Sequence, residues 1–229
     1  MINLFKNKKV QFETSFEEFF KKEIEFLTKT LTPKIKANYY LWTYLIWMFG
    51  YVLEIEEEKL FSQDLNVLFL DYLSEFRVIL YLSPSDYSVF HSRLTLIKML
   101  KKTLASKLSL WDEFVLKEFE LIDDLLLRYP FYTTTWNYCK YFLLITKLEE
   151  NSLNFKETLN KELNKSLENL FFKQNCTQFY LVENESLIKR YINLAETIAT
   201  LFKLDNREHF MYVEKLSQNF IQFLNKFVL

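Results

Sequence analysis

Glycine and proline are almost absent from this sequence of 229 residues, which contains one glycine and three prolines. The tight turns of β-rich folds depend on glycine, because glycine adopts left-handed backbone conformations without a steric penalty. Phosphate-binding loops need several glycines, so that main-chain amides can approach the phosphate closely. The composition therefore excludes a P-loop and a dinucleotide-binding fingerprint, and it favours an all-α fold.

Cysteine and histidine are equally scarce, with two of each in the chain. Cys139 and Cys176 cannot form a disulfide framework or a four-thiolate zinc site. No Glu-x-x-His motif of the di-iron bundles precedes His91 or His209. We therefore expect no metal site and no cofactor in this chain, and two lone cysteines favour a reducing, cytoplasmic compartment.

An excess of charge of one sign is missing as well, since 29 basic residues face 30 acidic residues. Duplex nucleic acid and anionic membranes usually require a basic excess, so neither is expected as a partner. The uncharged stretch 39–53 is shorter than the roughly 18 residues that a membrane span needs. The amino terminus lacks the apolar stretch of a signal peptide. These absences favour a soluble, cytoplasmic protein without a membrane span.

Half of the residues are hydrophobic, and they recur at the three- and four-residue spacing of helices. Pro84 and Pro130 stand where one helix ends and the next begins, because proline lacks an amide donor. The sequence thus predicts one domain, 1–229, of antiparallel helical hairpins stacked as an α-α superhelix, or solenoid. The predicted helices are 15–31, 36–53, 64–82, 86–107, 110–128, 133–150, 154–173, 178–203 and 206–228.

Three segments of the chain are similar to one another, and each has an aromatic residue four positions after a helix start. Their starts are 48 and 46 residues apart, and the last two follow a proline by two residues. Repeated hairpins of this kind stack into solenoids. The alternative is that these are capped core helices without a repeat. The repeats are clearest over 20–145, with additional helices in 150–229. The paired positions are Asn38 and Trp42, Asp86 and Phe90, and Tyr132 and Trp136.

The pattern resembles the helical repeat of the α subunits of protein prenyltransferases of the farnesyltransferase and geranylgeranyltransferase type. That repeat reads Pro-x-Asn-Tyr-x-x-Trp-x-x-Arg in its fullest form. The best local match is FELIDDLL at 119–126 followed by WNYCKYF at 136–142, with LWDE at 110–113 as its lead-in. The motif arginine is present only as Arg93, and Leu45 and Cys139 occupy its position in the other copies.

The resemblance implies a subunit that is active only with a β subunit. Together they would transfer farnesyl or geranylgeranyl from its diphosphate to a cysteine near the carboxyl terminus of substrate proteins. The partners it implies are therefore a prenyltransferase β subunit and, through the complex, the isoprenoid diphosphate and C-terminal cysteine peptides. It also assigns zinc to the β subunit.

The resemblance further implies individual site residues at the helix starts. The lysine that binds diphosphate in the family stands directly before the motif asparagine, where this chain has Ala37, with Lys36 one residue earlier. In the family a glutamine contacts the peptide carboxylate, and this chain has Tyr40 at that position. The candidates on the diphosphate side are Lys36, Tyr39 and Tyr87, and the substrate-binding candidates are Tyr40 and Arg93.

A second hypothesis needs no catalytic residues. A non-catalytic α-solenoid could bind another protein through its concave face. The aromatic content of 18% fits either hypothesis, because aromatic residues fill helical cores and also anchor interfaces.

Overall fold

The structure, a computed structural model, describes residues 16–27, 39–54, 65–104, 108–146, 187–204 and 210–228. These ranges contain eight α-helices and no strand, which confirms the all-α prediction. None of the described helices is long and apolar enough to span a bilayer. The helices are α1 Phe16–Glu25, α2 Tyr39–Glu54, α3 Leu65–Leu82, α4 Tyr87–Thr103, α5 Leu108–Arg128, α6 Thr133–Thr146, α7 Leu187–Leu204 and α8 Phe210–Val228.

The observed helices follow the predicted ones closely where both can be compared. The starts of α3, α4, α5 and α6 each lie within two residues of the predicted starts. The predicted helix 154–173 lies outside the described residues, as does the predicted beginning of α7 at 178.

The chain divides into two compact units, Met1–Thr103 and Leu104–Leu229. The first contains α1 to α4 and the second α5 to α8. A single domain and a superhelical stack stay predictions from the sequence.

In the first unit, α3 lies against both α2 and α4, and α2 also packs on α4. The Trp42 ring meets Phe76 at 5.2 Å between centroids, and the Phe49 ring meets Phe69 at 4.2 Å. Residue numbers thus fall along α2 as they rise along α3, so these helices are antiparallel. Because α4 also folds back along α3 after a four-residue connection, α2 and α4 run in the same direction and begin at the same end.

In the second unit, α8 packs against both α6 and α7. The Phe220 ring of α8 lies 5.2 Å from Trp136 of α6 and 6.2 Å from Tyr191 of α7. On α5, the Phe119 ring contacts both Phe142 at 4.9 Å and Tyr191 at 5.9 Å. Rings from all four helices therefore meet in one core.

The hairpins α3–α4 and α5–α6 have the same turn, displaced by 46 residues. In the first, the amide of Ser83 donates to the Ile79 carbonyl and the amide of Asp86 donates to the Ser83 carbonyl, at 3.0 and 3.1 Å. In the second, the equivalent bonds measure 2.9 and 3.1 Å. They join Tyr129 to Leu125 and Tyr132 to Tyr129. The proline turn is therefore repeated in three dimensions.

The buried positions repeat with the turn. Of the sixteen buried residues between positions 66 and 100, fourteen have a buried counterpart 46 residues later. On α2, positions 41, 42, 45, 48, 49 and 52 are buried, and so are the residues 48 positions after each of them. Trp42, Phe90 and Trp136 are all buried, as the sequence predicted. The internal similarity of the sequence is thus also a similarity of packing.

Candidate functional site

The starts of α2 and α4 lie at the same end of the first unit, and their first residues are Tyr39 and Tyr87. Helix starts carry main-chain amides without intrahelical partners and a positive end of the helix dipole. At α4 the carboxylate of Asp86 accepts a hydrogen bond of 2.9 Å from the Ser88 amide. Asp86 therefore caps α4, and the Ser88 amide has an acceptor within the chain.

The predicted tyrosines at these starts are open to solvent. Tyr39 is 61% exposed, Tyr40 is 83% exposed and Tyr87 is 56% exposed. The ring of Tyr87 stacks on His91 at 5.9 Å with an interplanar angle of 14°. The Tyr39 and Tyr40 rings meet edge-on at 6.1 Å. All three side chains can therefore be reached by a ligand at this end of the unit.

Arg93 differs from these tyrosines because its side chain is fully buried. Its Nη1 donates a hydrogen bond to the carbonyl of Leu73, and its guanidinium carbon lies 5.9 Å from the centre of the Phe76 ring. These contacts fasten α4 to α3, which is a structural role. Its predicted contact with a substrate stays a prediction, and Lys36 lies outside the described residues.

A row of aromatic rings runs along α2, and we call Tyr40, Tyr44, Trp47 and Tyr51 the aromatic stripe. The first three of these rings are exposed, and Tyr51 is half-buried. Tyr44 and Trp47 stack at 5.8 Å, and Trp47 and Tyr51 stack at 5.9 Å. Trp47 is 49% exposed. The sequence does not indicate this stripe, because an uncharged stretch without a polar face is usually buried on all sides.

The aromatic stripe is anchored to α1 through Tyr44. The Tyr44 hydroxyl donates a hydrogen bond of 3.3 Å to Oε1 of Glu23. Partial burial and the neighbouring Glu23 carboxylate both raise the pKa of Tyr44, because both disfavour the phenolate. The hydroxyl therefore acts as a donor at neutral pH.

A buried polar cluster lies in the second unit, where the Arg190 guanidinium of α7 faces the Asp123 carboxylate of α5. Nη1 donates to Oδ1 at 3.2 Å, and Nη2 donates to Oδ2. Both side chains are buried, and the guanidinium carbon lies 5.1 Å from the centre of the Tyr191 ring. The sequence does not indicate this pair, because its members are 67 residues apart.

Burial controls the ionisation of this cluster. It raises the pKa of the Asp123 carboxyl, while the Arg190 guanidinium acts in the opposite direction. Burial also raises the pKa of the Cys139 thiol well above its ordinary value, and the Asp123 carboxylate adds to that rise. Cys139 therefore stays a neutral thiol, which is a poor nucleophile and a poor metal ligand.

Across the described ranges, no three side chains of histidine, cysteine, aspartate or glutamate come together in a group that could hold a metal ion. The expectation that zinc belongs to a β subunit stays a prediction. Comparisons with protein-family models, curated proteins and solved structures found no match for this chain. The internal repeat and the side-chain contacts are therefore the basis for a functional proposal.

Proposed function

We propose that this chain is the α subunit of a heterodimeric protein prenyltransferase. With its β subunit it would support transfer of farnesyl or geranylgeranyl from the diphosphate to a C-terminal cysteine of a substrate protein. The observation that carries the proposal is the proline-turn hairpin repeated at 46 residues, with Phe90 and Trp136 buried at equivalent positions. This is the arrangement that the resemblance to prenyltransferase α subunits implies.

The proposal places the diphosphate at the helix starts of the first unit. Transfer forms a thioether between the cysteine sulfur and the isoprenoid carbon while the carbon–oxygen bond to diphosphate breaks, so negative charge develops on the leaving group. Donors that are already oriented towards such charge lower the barrier. The exposed hydroxyls of Tyr39 and Tyr87, at neighbouring helix starts, are suited to that role.

The remaining chemistry belongs to the partner. In this chain the described residues include no metal-binding group, and the Cys139 thiol is buried. The partner β subunit would hold the zinc ion that activates the substrate cysteine, together with most of the isoprenoid pocket. The present chain would contribute the surface on which the diphosphate leaves.

The test is reconstitution with a β subunit encoded in the same genome. Transfer of a fluorescent farnesyl or geranylgeranyl group to a peptide ending in a prenylation motif is measured for each chain alone and for the two together. We expect a stable heterodimer and transfer only by the pair. A heterodimer without transfer to any such peptide would contradict the catalytic assignment.

A second candidate function, a non-catalytic helical scaffold, is favoured by the aromatic stripe. Exposed aromatic rings that form one surface usually mark a protein-binding site. If the chain is a scaffold, Trp47→Ser should weaken capture of the co-purifying protein about tenfold or more, with little change in stability. The matched control is Tyr141→Ser, which replaces an exposed aromatic residue on α6. Equal capture by both variants would remove the stripe from the interface.

A further inference from the structure

The two proline-turn hairpins differ at the position of the repeat's arginine. In α4 this position is Arg93, whose guanidinium contacts α3 at Leu73 and Phe76. The equivalent residue of α6, 46 positions later, is the buried Cys139. At this position the second hairpin therefore lacks the buried guanidinium that the first hairpin has.

An arginine of α7, Arg190, contacts α5 at the corresponding position along the helix. The equivalents of Leu73 and Phe76 on α5 are Phe119 and Ile122. Arg190 binds the carboxylate of Asp123, which is the next residue after Ile122. The neighbouring Tyr191 packs its ring against Phe119. The position along α5 that the Arg190 guanidinium contacts therefore corresponds to the position along α3 that Arg93 contacts.

The residue that receives this guanidinium is also specific to the second hairpin. The equivalent of Asp123 on α3 is Arg77, which is not buried. The α5–α6 hairpin, which receives its guanidinium from α7, therefore has a buried carboxylate at this position. The α3–α4 hairpin has a basic residue at the equivalent position. Arg190 and Arg93 are both buried, and each lies over an aromatic ring.

We infer that Arg190 supplies to the α5–α6 hairpin the buried guanidinium that its own repeat lacks at Cys139, and thereby makes α7 an integral part of the repeat. The inference goes beyond the proposed function, because it holds for a scaffold as well as for an enzyme subunit. As a physical consequence, detachment of α7 would leave the Asp123 carboxylate without its partner in an apolar site, which is strongly unfavourable.

Reactivity of Cys139 reports whether α7 stays in place. In a Cys176→Ser background Cys139 is the remaining thiol of the chain, and it is buried in the same cluster. We expect Arg190→Ala to accelerate its labelling by a disulfide reagent by about a hundredfold or more under native conditions. The matched control is Arg128→Ala, which removes the exposed partner of Asp124 on the same helix and should change the rate by less than about threefold.

A second variant tests whether the Arg190 guanidinium takes the place of the missing repeat arginine or only fills space in the core. Cys139→Arg should lower the urea midpoint when Arg190 is present, because two guanidinium groups then face one carboxylate. In the Arg190→Ala background the same change should raise the midpoint, because it restores the missing charge.

An effect of Cys139→Arg with the same sign in both backgrounds would overturn the inference. So would Arg190→Ala labelling no faster than Arg128→Ala. If Arg190→Ala alone gives no folded protein, the double variant decides. Recovery of folded protein by Cys139→Arg supports the inference, and failure to recover it overturns it.

Discussion

The indole Nε1 of Trp136 donates a hydrogen bond of 2.7 Å to the main-chain carbonyl of Pro130, and both residues are buried. This bond ties the first turn of α6 to the proline turn that precedes it. The equivalent aromatic of α4, Phe90, has no donor. The Nε1 of Trp42 finds no acceptor in the part of the chain that the structure describes. The same packing position therefore carries different polar contacts in the three copies.

Trp136→Phe should destabilise the protein more than Trp42→Phe. Both substitutions replace a buried indole with the smaller phenyl ring. Trp136→Phe also leaves the Pro130 carbonyl without this donor, which costs about 1–3 kcal/mol. Trp136→Ala should cost about 3–5 kcal/mol as a deletion of a core aromatic residue. Urea unfolding followed by circular dichroism measures each free energy.

The control for these tryptophans is Trp47→Ala on the aromatic stripe, which should destabilise the protein less than Trp136→Ala because about half of the Trp47 side chain is already exposed. Equal losses for Trp136→Phe and Trp42→Phe would show that the bond to Pro130 contributes nothing.

Tyr138→Phe should destabilise the α5–α6 hairpin. The Tyr138 hydroxyl donates a hydrogen bond to Oε1 of Glu118, and both side chains are buried. Removing the hydroxyl deprives a buried carboxylate of one donor, at a cost of about 1–3 kcal/mol. Tyr141→Phe, on the exposed face of the same helix, is the control and should be neutral in the same urea titration. A neutral Tyr138→Phe would contradict the importance of this bond.

Alkaline pH should destabilise the protein. Burial raises the pKa of Tyr72 and Tyr191 far above their ordinary value of about 10, and that of Cys139 above about 8.5. The unfolded chain releases these protons at the ordinary values, whereas the folded protein keeps them. The unfolded state then binds fewer protons, so the free energy of unfolding falls as pH rises above about 8.5. Urea midpoints between pH 7 and 11 measure this decline.

Tyr72→Phe should make that decline shallower above pH 10. Among the described residues, the Tyr72 hydroxyl has no hydrogen-bond partner. Its loss should therefore be neutral or slightly stabilising at pH 7, where a buried hydroxyl without a partner is unfavourable. An unchanged slope would mean that Tyr72 does not stay protonated in the folded protein.

Tyr87→Phe should reduce prenyl transfer by the reconstituted heterodimer about tenfold or more, because it removes one donor from the developing diphosphate charge. The Phe ring retains the stacking on His91, so the melting temperature should hardly change. Lys36→Ala should act similarly, and Tyr141→Phe is the exposed control. Unchanged turnover in both Tyr87→Phe and Lys36→Ala would remove these residues from the mechanism.

The sequence by itself determined the helical class, most helix starts and the buried aromatic residues. A chain with one glycine cannot build many tight turns, and apolar residues at helical spacing define the face that must be buried. Pro84 and Pro130 set the turns, because proline ends a helix through its own covalent structure. Trp42, Phe90 and Trp136 were predictable as core residues because each lies one turn into a helix on its apolar face. All these signals are local in the chain.

The tertiary structure alone decided which polar and aromatic groups meet. Asp123 and Arg190 are far apart in sequence, and nothing in their own helices indicates that each is buried by the other. Arg93 is buried because α3 places the Leu73 carbonyl beside its guanidinium, which the sequence of α4 does not indicate. The helix α2 is apolar on most sides, so only its neighbours determine that Trp47 is exposed while Phe49 is buried. Exposure and ion pairing depend on what packs against a helix, and that information is spread over distant parts of the chain.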